Sequence, residues 1–301
     1  MKAALLKAYG DVDQFSLGEA VDPVAGANEV VIKVHAAGLN PVDGYVRQGF
    51  LAQMAPMTFP AILGVDAAGT VVSLGENVSG FAVGDRVIAH LPINGHGAYA
   101  ELAVVPLAGL AKLPANVSFE AGATLPLVAL TGRQAADALG VKAGDRVLVS
   151  GALGAVGRAA VQYLKTFGAV PVAAVRGSRL AEGKALAGEA VDIDVAPLAP
   201  DFDFAISGAG PAALHTINHV RAGGTLVSVT QVPEGANAGE RIKLVNLWTK
   251  DDPVMLQDIA GAAGRGEIVL PIAATFTVGQ LGDAHKKLTS PQLGGKIIIT
   301  L

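Results

Sequence analysis

Residues 147–169 read VLVSGALGAVGRAAVQYLKTFGA, and this stretch decides the fold of the second half of the chain. An apolar strand segment runs into three evenly spaced glycines, Gly151, Gly154 and Gly157, and then into a segment with the apolar spacing of a helix. Strand, glycine turn and helix in this order form the dinucleotide-binding fingerprint, in which a helix N-terminus and free N–H groups bind a pyrophosphate. Ala152 stands in the place of the fingerprint's first glycine. Because 38 glycines also produce chance spacings, the interpretation rests on the flanking strand and helix.

The residues after the next predicted strand, 169–175, bear on which dinucleotide is bound. An acid at the end of that strand would bind the ribose hydroxyls of NAD. Here Arg176, Ser178 and Arg179 follow the strand, and the first acid, Glu182, comes later. Guanidinium groups and a hydroxyl suit a 2′-phosphate, and one charge-assisted contact contributes about 1.5–3 kcal/mol. The sequence therefore predicts NADPH over NADH, with solvated surface charges as the alternative role for the arginines.

The second half alternates predicted strands and helices, which indicates a parallel sheet with helices on its faces. The predicted elements are a helix near 121–139, strand 146–150, helix 155–167, strand 169–175, strand 203–207, helix 211–221 and strand 224–229.

The first 118 residues have a different pattern, with short apolar strands between Gly, Pro and Asn residues. The predicted strands are 30–38, 67–75, 85–92 and 99–106. After Gly264, strand signals return at 275–278 and 294–301 around a short helix, 281–288. We therefore expect the end of the chain to rejoin a mostly β first module.

Composition excludes several classes of function. Of the 301 residues, 51% are hydrophobic and 16% are charged, which predicts a well-buried globular protein of two domains. The absence of cysteine excludes disulfides, thiolate nucleophiles and cysteine-rich zinc sites. A net charge of −4 without Lys or Arg runs disfavours nucleic-acid binding. No apolar run approaches the roughly 20 residues of a membrane span, and the N-terminus lacks a signal-peptide core, so a cytoplasmic location is expected.

In their order and spacing, six segments resemble the medium-chain dehydrogenase/reductase superfamily, and within it the zinc-free quinone oxidoreductase group. They are AAGLNPVDGYVRQG (36–49), FPAILGVDAAGTVVSLGENVSGFAVGDRV (59–87), GAYAELAVVP (97–106), ATLPLVALTG (123–132), VKAGDRVLVSGALGAVG (141–157) and AGGTLVSV (222–229).

The resemblance implies an α/β chain with two domains. A GroES-like, mostly β catalytic domain is expected over 1–118, completed by 265–301. A Rossmann domain with a doubly wound parallel sheet is expected over 119–264, where it binds NADP(H). Family members usually form a two-fold dimer through an edge strand of the cofactor sheet, so a homodimer is expected.

Zinc-dependent members of the same superfamily hold their metal at positions that the resemblance carries onto this chain. They have a cysteine where Asn40 stands, a His–Glu pair where Val65 and Asp66 follow Gly64, and a second cysteine near Leu127. Asn, Val and Leu do not form a zinc site, which needs thiolate, imidazole or carboxylate ligands. We therefore expect no metal.

Without a metal, oxidation of ordinary alcohols is difficult. Quinones and α,β-unsaturated ketones or aldehydes still accept hydride with only hydrogen-bond donors to help the developing oxyanion. The resemblance thus implies a metal-free, NADPH-dependent reductase of quinones or enones. Two alternatives remain open: a zinc-free alcohol or polyol dehydrogenase, and an NADPH-binding sensor or structural protein with little turnover.

The resemblance also indicates residues that line the cleft beneath the nicotinamide, in the segment GLNPVDGYV. Asn40 either bonds cofactor or substrate or ties down the turn before Pro41. Tyr45 either donates its phenolic hydrogen to the substrate or is a packed tyrosine. Asp43 is expected to fix the loop, because a carboxylate beside a hydride donor would oppose an anionic product. His90 is a candidate to relay a proton.

Cofactor contacts are expected from the glycine turn and from the carboxyl ends of the parallel strands, where ligands of open sheets bind. Simple turn chemistry is the alternative at the strand ends. The resemblance adds a threonine in ALTG and the lysine of GGKIIIT. The predicted contacts are Thr131, Gly151, Gly154, Ala155, Val156, Gly157, Arg176, Ser178, Arg179, Gly208, Gly210, Thr230 and Lys296.

Overall fold

The computed structural model describes residues 1–195, 200–208, 213–290 and 293–301. It divides the chain into a first unit, Met1–Leu127 with Asp251–Leu301, and a second unit, Val128–Lys250. The sequence placed these boundaries at 118/119 and 264/265. The last 51 residues of the chain thus belong with the first 127.

The first unit contains more strand than helix. Its strands are β1 (Lys2–Leu6), β2 (Phe15–Glu19), β3 (Glu29–Leu39), β4 (Ala61–Ile62), β5 (Asp66–Leu74), β6 (Arg86–His90), β7 (Leu102–Pro106) and β8 (Leu110–Lys112). The second unit contains β9 (Arg146–Ser150), β10 (Val170–Val175), β11 (Glu189–Asp192), β12 (Phe202–Ser207), β13 (Val220–Ser228) and β14 (Lys243–Asn246). The first unit is completed by β15 (Ile272–Thr277) and β16 (Lys296–Thr300).

Eight α-helices lie within the described residues. They are α1 (Pro41–Arg47), α2 (Phe119–Ala123), α3 (Pro126–Leu139), α4 (Ala155–Thr166), α5 (Leu180–Ala187), α6 (Ala213–His219), α7 (Pro253–Gly264) and α8 (Leu281–Leu288). None of the helices in these described parts is long and apolar enough to cross a membrane.

The sheet of the first unit brings together chain segments that are far apart in sequence. Its strand order is β15-β16-β3-β5-β6-β8, with β7 also pairing with β3, and a small separate sheet has the order β2-β1-β4. The C-terminal strand β16 pairs antiparallel with β3, so that Ile297 faces Leu39. Lys296 is consequently held beside the residues that follow β3. The end of the chain thus pairs with a strand from its first 40 residues.

Helix α7 explains why the first unit takes more of the chain than the sequence predicted. Its Gln257 side chain accepts a hydrogen bond from the Lys112 N–H at 2.9 Å and donates to the Lys112 carbonyl at 3.3 Å. Asn116 donates to the carbonyl of Gly264 at 2.7 Å. These bonds attach α7 to β8 and to the segment that follows it, a tertiary pairing that the helical pattern alone does not show.

The second unit contains one parallel sheet with the order β11-β10-β9-β12-β13-β14. Every adjacent pair is parallel, as the alternating pattern predicted. The apolar side chains of β9, β10, β12 and β13 form its core, where Leu148, Val172, Ala205 and Leu226 have no more than a trace of exposed surface. The carboxyl ends of β9 and β12 lie side by side and are followed by glycines.

The helix predicted over 121–139 is two helices. Ser118 caps α2, accepting a hydrogen bond from the Ala121 N–H at 3.1 Å, so this helix begins earlier than predicted. It ends before Pro126, which lacks an N–H and disfavours helical backbone in the residue before it. Pro126 then begins α3, a position that proline favours.

Candidate active site and cofactor turn

Two buried polar side chains of the first unit, those of Asn40 and Lys296, donate hydrogen bonds to Asp66, the first residue of β5. Asp66 Oδ2 accepts hydrogen bonds from Asn40 Nδ2 at 2.8 Å and from Lys296 Nζ at 3.1 Å. Its Oδ1 accepts from the backbone N–H of Leu127 at 2.8 Å. Lys296 Nζ also donates to Asn40 Oδ1 at 2.6 Å. The bonds join β3, β5, β16 and the start of α3, and we call Asn40, Asp43, Asp66, Tyr99 and Lys296 the polar cluster.

Asn40 connects the polar cluster to α1. Its amide nitrogen donates to Asp66 and, at 3.3 Å, to the carbonyl of Gly38, while its amide oxygen accepts from Lys296. The side chain is fully buried. Both polar atoms of Asn40 are thus engaged internally, which favours the loop-fixing role over a direct bond to a substrate.

The Asp43 side chain caps the start of α1. Its Oδ2 accepts from the backbone N–H of Asn40 at 2.8 Å and from the Tyr99 hydroxyl at 3.0 Å. Burial, together with the charge of Asp66, raises the pKa of Asp43 to about 7, although these two hydrogen bonds and the charge of Lys296 oppose the rise. Burial and the neighbouring carboxylates likewise raise the pKa of Tyr99. Asp43 is therefore a loop-fixing group that titrates near neutral pH.

Lys296 lies among the positions at which zinc-dependent relatives hold their metal. Asn40 supplies its amide oxygen to the ammonium group, and the neighbouring positions are Val65 and Leu127, whose side chains are apolar. Within the described ranges, no group of three or more His, Cys, Asp or Glu residues is arranged to hold a metal ion. The residues present do not fit zinc, and the ammonium of Lys296 supplies the positive charge beside Asp66 instead. Its predicted contact with the cofactor stays a prediction.

Tyr45 lies apart from the polar cluster. Its side chain is 53% exposed, and its ring centroid is 6.3 Å from that of Phe50. It projects from α1, whose first turn the cluster fixes. Of the two roles that the sequence left open, exposure of the phenol is compatible with donation to a substrate.

His90 ends β6, directly opposite Asp66 in the antiparallel register. Its Nδ1 is 2.6 Å from Asp251 Oδ1. Burial lowers the pKa of His90, but the hydrogen bond to Asp251 and the charges of Asp66 and Asp43 outweigh it, so the net effect is a raised pKa. Residues opposite each other in an antiparallel pair share a face of the sheet. The imidazole of His90 is thereby held on the same face as the Asp66 carboxylate.

The glycine turn of the second unit has the geometry of a phosphate cradle. Gly151 has a φ of 67°, a left-handed conformation that glycine adopts without strain. A Cβ on Gly157 would lie 2.3 Å from the Gly151 carbonyl oxygen, so only glycine allows this packing of α4 against the turn. Gly154 caps α4 without a side chain. The N–H groups of Ala155 and Val156 in the first turn of α4 have no partner within the helix.

The strand ends beside the turn are small and polar. Gly208 follows β12, its N–H donates to the Ser150 carbonyl at 3.0 Å, and a Cβ there would lie 3.6 Å from the Gly157 nitrogen. Thr230 follows β13, and its carbonyl accepts from the Ser228 hydroxyl at 2.8 Å. Gly210 lies outside the described residues. The residues described at this edge fit a dinucleotide.

Two other predicted contacts have partners within the second unit. Thr131 on α3 has its hydroxyl 2.6 Å from that of Thr249. Arg179 donates to both carboxylate oxygens of Glu182, at 2.9 and 2.7 Å. Arg176 and Ser178 are exposed. Glu182, which lies beyond the strand end where an NAD-binding acid is expected, thus neutralises Arg179.

The family to which the chain belongs follows from its matches. Residues 26–115 match the alcohol dehydrogenase GroES-like domain, and residues 185–299 match the zinc-binding dehydrogenase family. A tomato 2-methylene-furan-3-one reductase is 30% identical over 99% of this chain and 79% of its own length. The chain belongs to the medium-chain dehydrogenase/reductase superfamily. The predicted fold class, a GroES-like domain with a Rossmann-type parallel sheet, is confirmed.

Within the superfamily, the predicted likeness to quinone oxidoreductases is also confirmed. The human quinone oxidoreductase is 36% identical over 56% of this chain and 50% of its own length. The chain spans about half the length of the first curated relatives that it matches. The solved quinone oxidoreductase of Coxiella burnetii is 26% identical, with a TM-score of 0.90 over 100% of this chain and 99% of its own.

The sequence did not indicate a role for three members of this site. Asp66 was compared with a zinc enzyme's glutamate but given no role, although an acid at the start of an apolar strand indicates a buried partner. Tyr99 stands among small residues in GAYAEL, and a fully buried tyrosine needs a hydrogen-bond partner. The Leu127 N–H is a backbone group, for which the sequence offers no signal.

Proposed function

We propose that the chain is a metal-free reductase that transfers hydride from NADPH to quinones or α,β-unsaturated carbonyl compounds. The observation that carries the proposal is the Lys296 ammonium, which is buried between Asn40 and Asp66 where zinc-dependent members of the superfamily hold a metal. The glycine turn formed by Gly151, Gly154 and Gly157, which we call the glycine cradle, lies beside Gly208 and supports binding of a dinucleotide. The names of the curated relatives support a quinone or enone acceptor.

The second unit binds the dinucleotide through backbone groups. The N-terminus of α4 donates hydrogen bonds to the pyrophosphate, and the small residues at the ends of β9 and β12 admit the rest of the cofactor. Arg176 and Ser178 bind the 2′-phosphate. Arg179 contributes less, because Glu182 shares its charge.

The first unit positions and polarises the acceptor. When bound, the reduced nicotinamide supplies the hydride. The polar cluster holds α1 rigidly, and the exposed Tyr45 hydroxyl donates to the oxygen on which negative charge develops. Solvent, or His90 with its partner Asp251, supplies the proton that completes the reduction. No step requires a metal.

The proposed assembly is a homodimer in the cytoplasm. Strand β14 is the last strand at one edge of the described parallel sheet, and its backbone is available for pairing with a second copy. Measurement of the molar mass in solution tests this part of the proposal.

The experiment is oxidation of NADPH, followed by the absorbance of the reduced nicotinamide, with 1,4-benzoquinone, 9,10-phenanthrenequinone, methyl vinyl ketone and 2-cyclohexenone as acceptors. Turnover that survives a chelator is expected. Formation of NADPH from alcohols would favour the dehydrogenase alternative, and tight binding without turnover would favour the sensor alternative. Tyr45→Phe should slow turnover and spare NADPH binding, whereas the neighbouring Phe50→Leu should change neither; unchanged turnover in Tyr45→Phe removes the phenol from the mechanism.

A further inference from the structure

A carboxylate lies against the backbone immediately after β10. Asp192 is the last residue of β11, which pairs in parallel with β10 so that Asp192 stands opposite Val175. A Cβ built on Gly177 would lie 2.4 Å from Asp192 Oδ2 and 3.8 Å from Oδ1. The carboxylate therefore occupies the space that a side chain at Gly177 would fill. Its Oδ1 also accepts a hydrogen bond from the Asp194 N–H at 3.1 Å, which orients the group.

This carboxylate is on the edge of the sheet at which a dinucleotide binds. Parallel strands bring their carboxyl ends to one edge, and in open sheets ligands bind there. In NAD-binding sheets, the acid that accepts the ribose hydroxyls ordinarily ends the second strand of the sheet. In this chain that strand is β10, and it is followed by Arg176 instead. Asp192 brings a carboxylate to the same corner from the neighbouring strand.

The turn after β10 has charges of both signs, which would act on a 2′-phosphate in opposite directions. Arg176 is exposed and forms no ion pair with the described residues. Arg179 is already paired with Glu182, with side chains 23% and 53% exposed. A 2′-phosphate here would meet the attraction of Arg176 together with the repulsion of Asp192 at the base of the same turn. A ribose 2′-hydroxyl would meet an acceptor for its hydrogen.

We propose that Asp192 is a specificity-determining residue that opposes the 2′-phosphate of NADPH and accepts the ribose hydroxyl of NADH. The inference rests on the proposed function, because it concerns the cofactor of that function. Wild-type protein then has a smaller preference for NADPH than Arg176 and Ser178 alone would produce. Removing the charge of Asp192 increases that preference.

The test measures binding of two adenosine nucleotides by isothermal titration calorimetry, without turnover. The probes are 2′,5′-ADP, which carries the 2′-phosphate, and 5′-AMP, which does not. In Asp192→Asn, which keeps an acceptor for the Asp194 N–H, we expect 2′,5′-ADP to bind more tightly and 5′-AMP more weakly. The ratio of the two affinities should change by about tenfold, the effect of one charged hydrogen bond. Arg176→Ala should change the ratio in the opposite direction.

Asp194→Asn is the matched control, since it removes an exposed carboxylate two residues away and should leave the ratio within about twofold of wild type. An unchanged ratio in Asp192→Asn overturns the inference, and so does an equal shift in Asp194→Asn, which would indicate a general effect of charge. Circular dichroism establishes that each variant is folded. If neither nucleotide binds the folded wild-type protein, the proposed function fails, and this inference fails with it; an unchanged ratio in a protein that binds both nucleotides overturns the inference alone.

Discussion

Replacement of Lys296 by methionine removes the ammonium from the polar cluster and leaves its carboxylates uncompensated. Asp66 is fully buried and would keep only the Asn40 amide and the Leu127 N–H as donors. Removing one partner of a buried ion pair costs about 3–5 kcal/mol, because the remaining charge stays desolvated. The loss should fall in the upper part of this range, since the ammonium also bonds Asn40 at 2.6 Å.

The assay is urea unfolding followed by far-ultraviolet circular dichroism, with Lys286→Met as the control. Lys286 pairs with Asp283 at 3.5 Å on the surface, and about two thirds of each side chain is exposed. Its loss should cost less than about 1 kcal/mol. Adding Asp66→Asn to Lys296→Met should recover part of the stability, because the amide carries no buried charge. A Lys296→Met variant as stable as the Lys286→Met control would refute the claim that the ammonium neutralises the cluster.

Three further predictions concern pH and the glycine cradle. Because burial raises the pKa of Asp43 to about 7, the folded protein holds a proton that the unfolded chain releases above about pH 4, so wild-type stability should fall as the pH rises from about 4 to about 7. Asp43→Asn should lack this fall in urea unfolding, and parallel curves would contradict the assignment. Gly157→Ala should abolish dinucleotide binding in a fluorescence titration, because its Cβ would lie 2.3 Å from a turn carbonyl, whereas Gly261→Ala, inside α7, should bind normally. Asp251→Asn should lower the pKa of His90 in an NMR titration, because it removes the carboxylate that favours the imidazolium, and an unchanged value would refute the pairing.

Local patterns predicted part of the second unit, namely β9, β10, β12, β13, α4 and α6, but did not predict α5, β11 or β14. Strand β9 of the second unit and helix α8 of the first unit have the predicted bounds, because apolar alternation and helical spacing are set by the residues themselves. The predicted helix over 121–139 was wrong at Pro126, where proline begins a new helix rather than continuing the old one. The unit boundary at α7 depends on side-chain bonds to β8, and no local pattern encodes those.

The site could be predicted only in part, for a related reason. The motif around Asn40 identified the loop, and the glycines identified the cradle. The partners of that loop come from positions up to 256 residues away, as in the bond between Lys296 and Asn40. Which carboxylate meets which cation depends on strand register, in particular the pairing of β16 with β3. The sequence therefore suggested where Asn40 and Asp43 act, but it did not show that they share one buried network with Asp66 and Tyr99.

The most direct test of the central claim, metal-free hydride transfer from NADPH, follows the hydride itself. Protein treated with a chelator, with its metal content measured by mass spectrometry, is mixed with NADPH deuterated at the reactive carbon of the nicotinamide and with 2-cyclohexenone. The account predicts deuterium at the β-carbon of the product cyclohexanone while zinc stays far below one atom per chain. Label transfer that appears only when zinc is restored would contradict it.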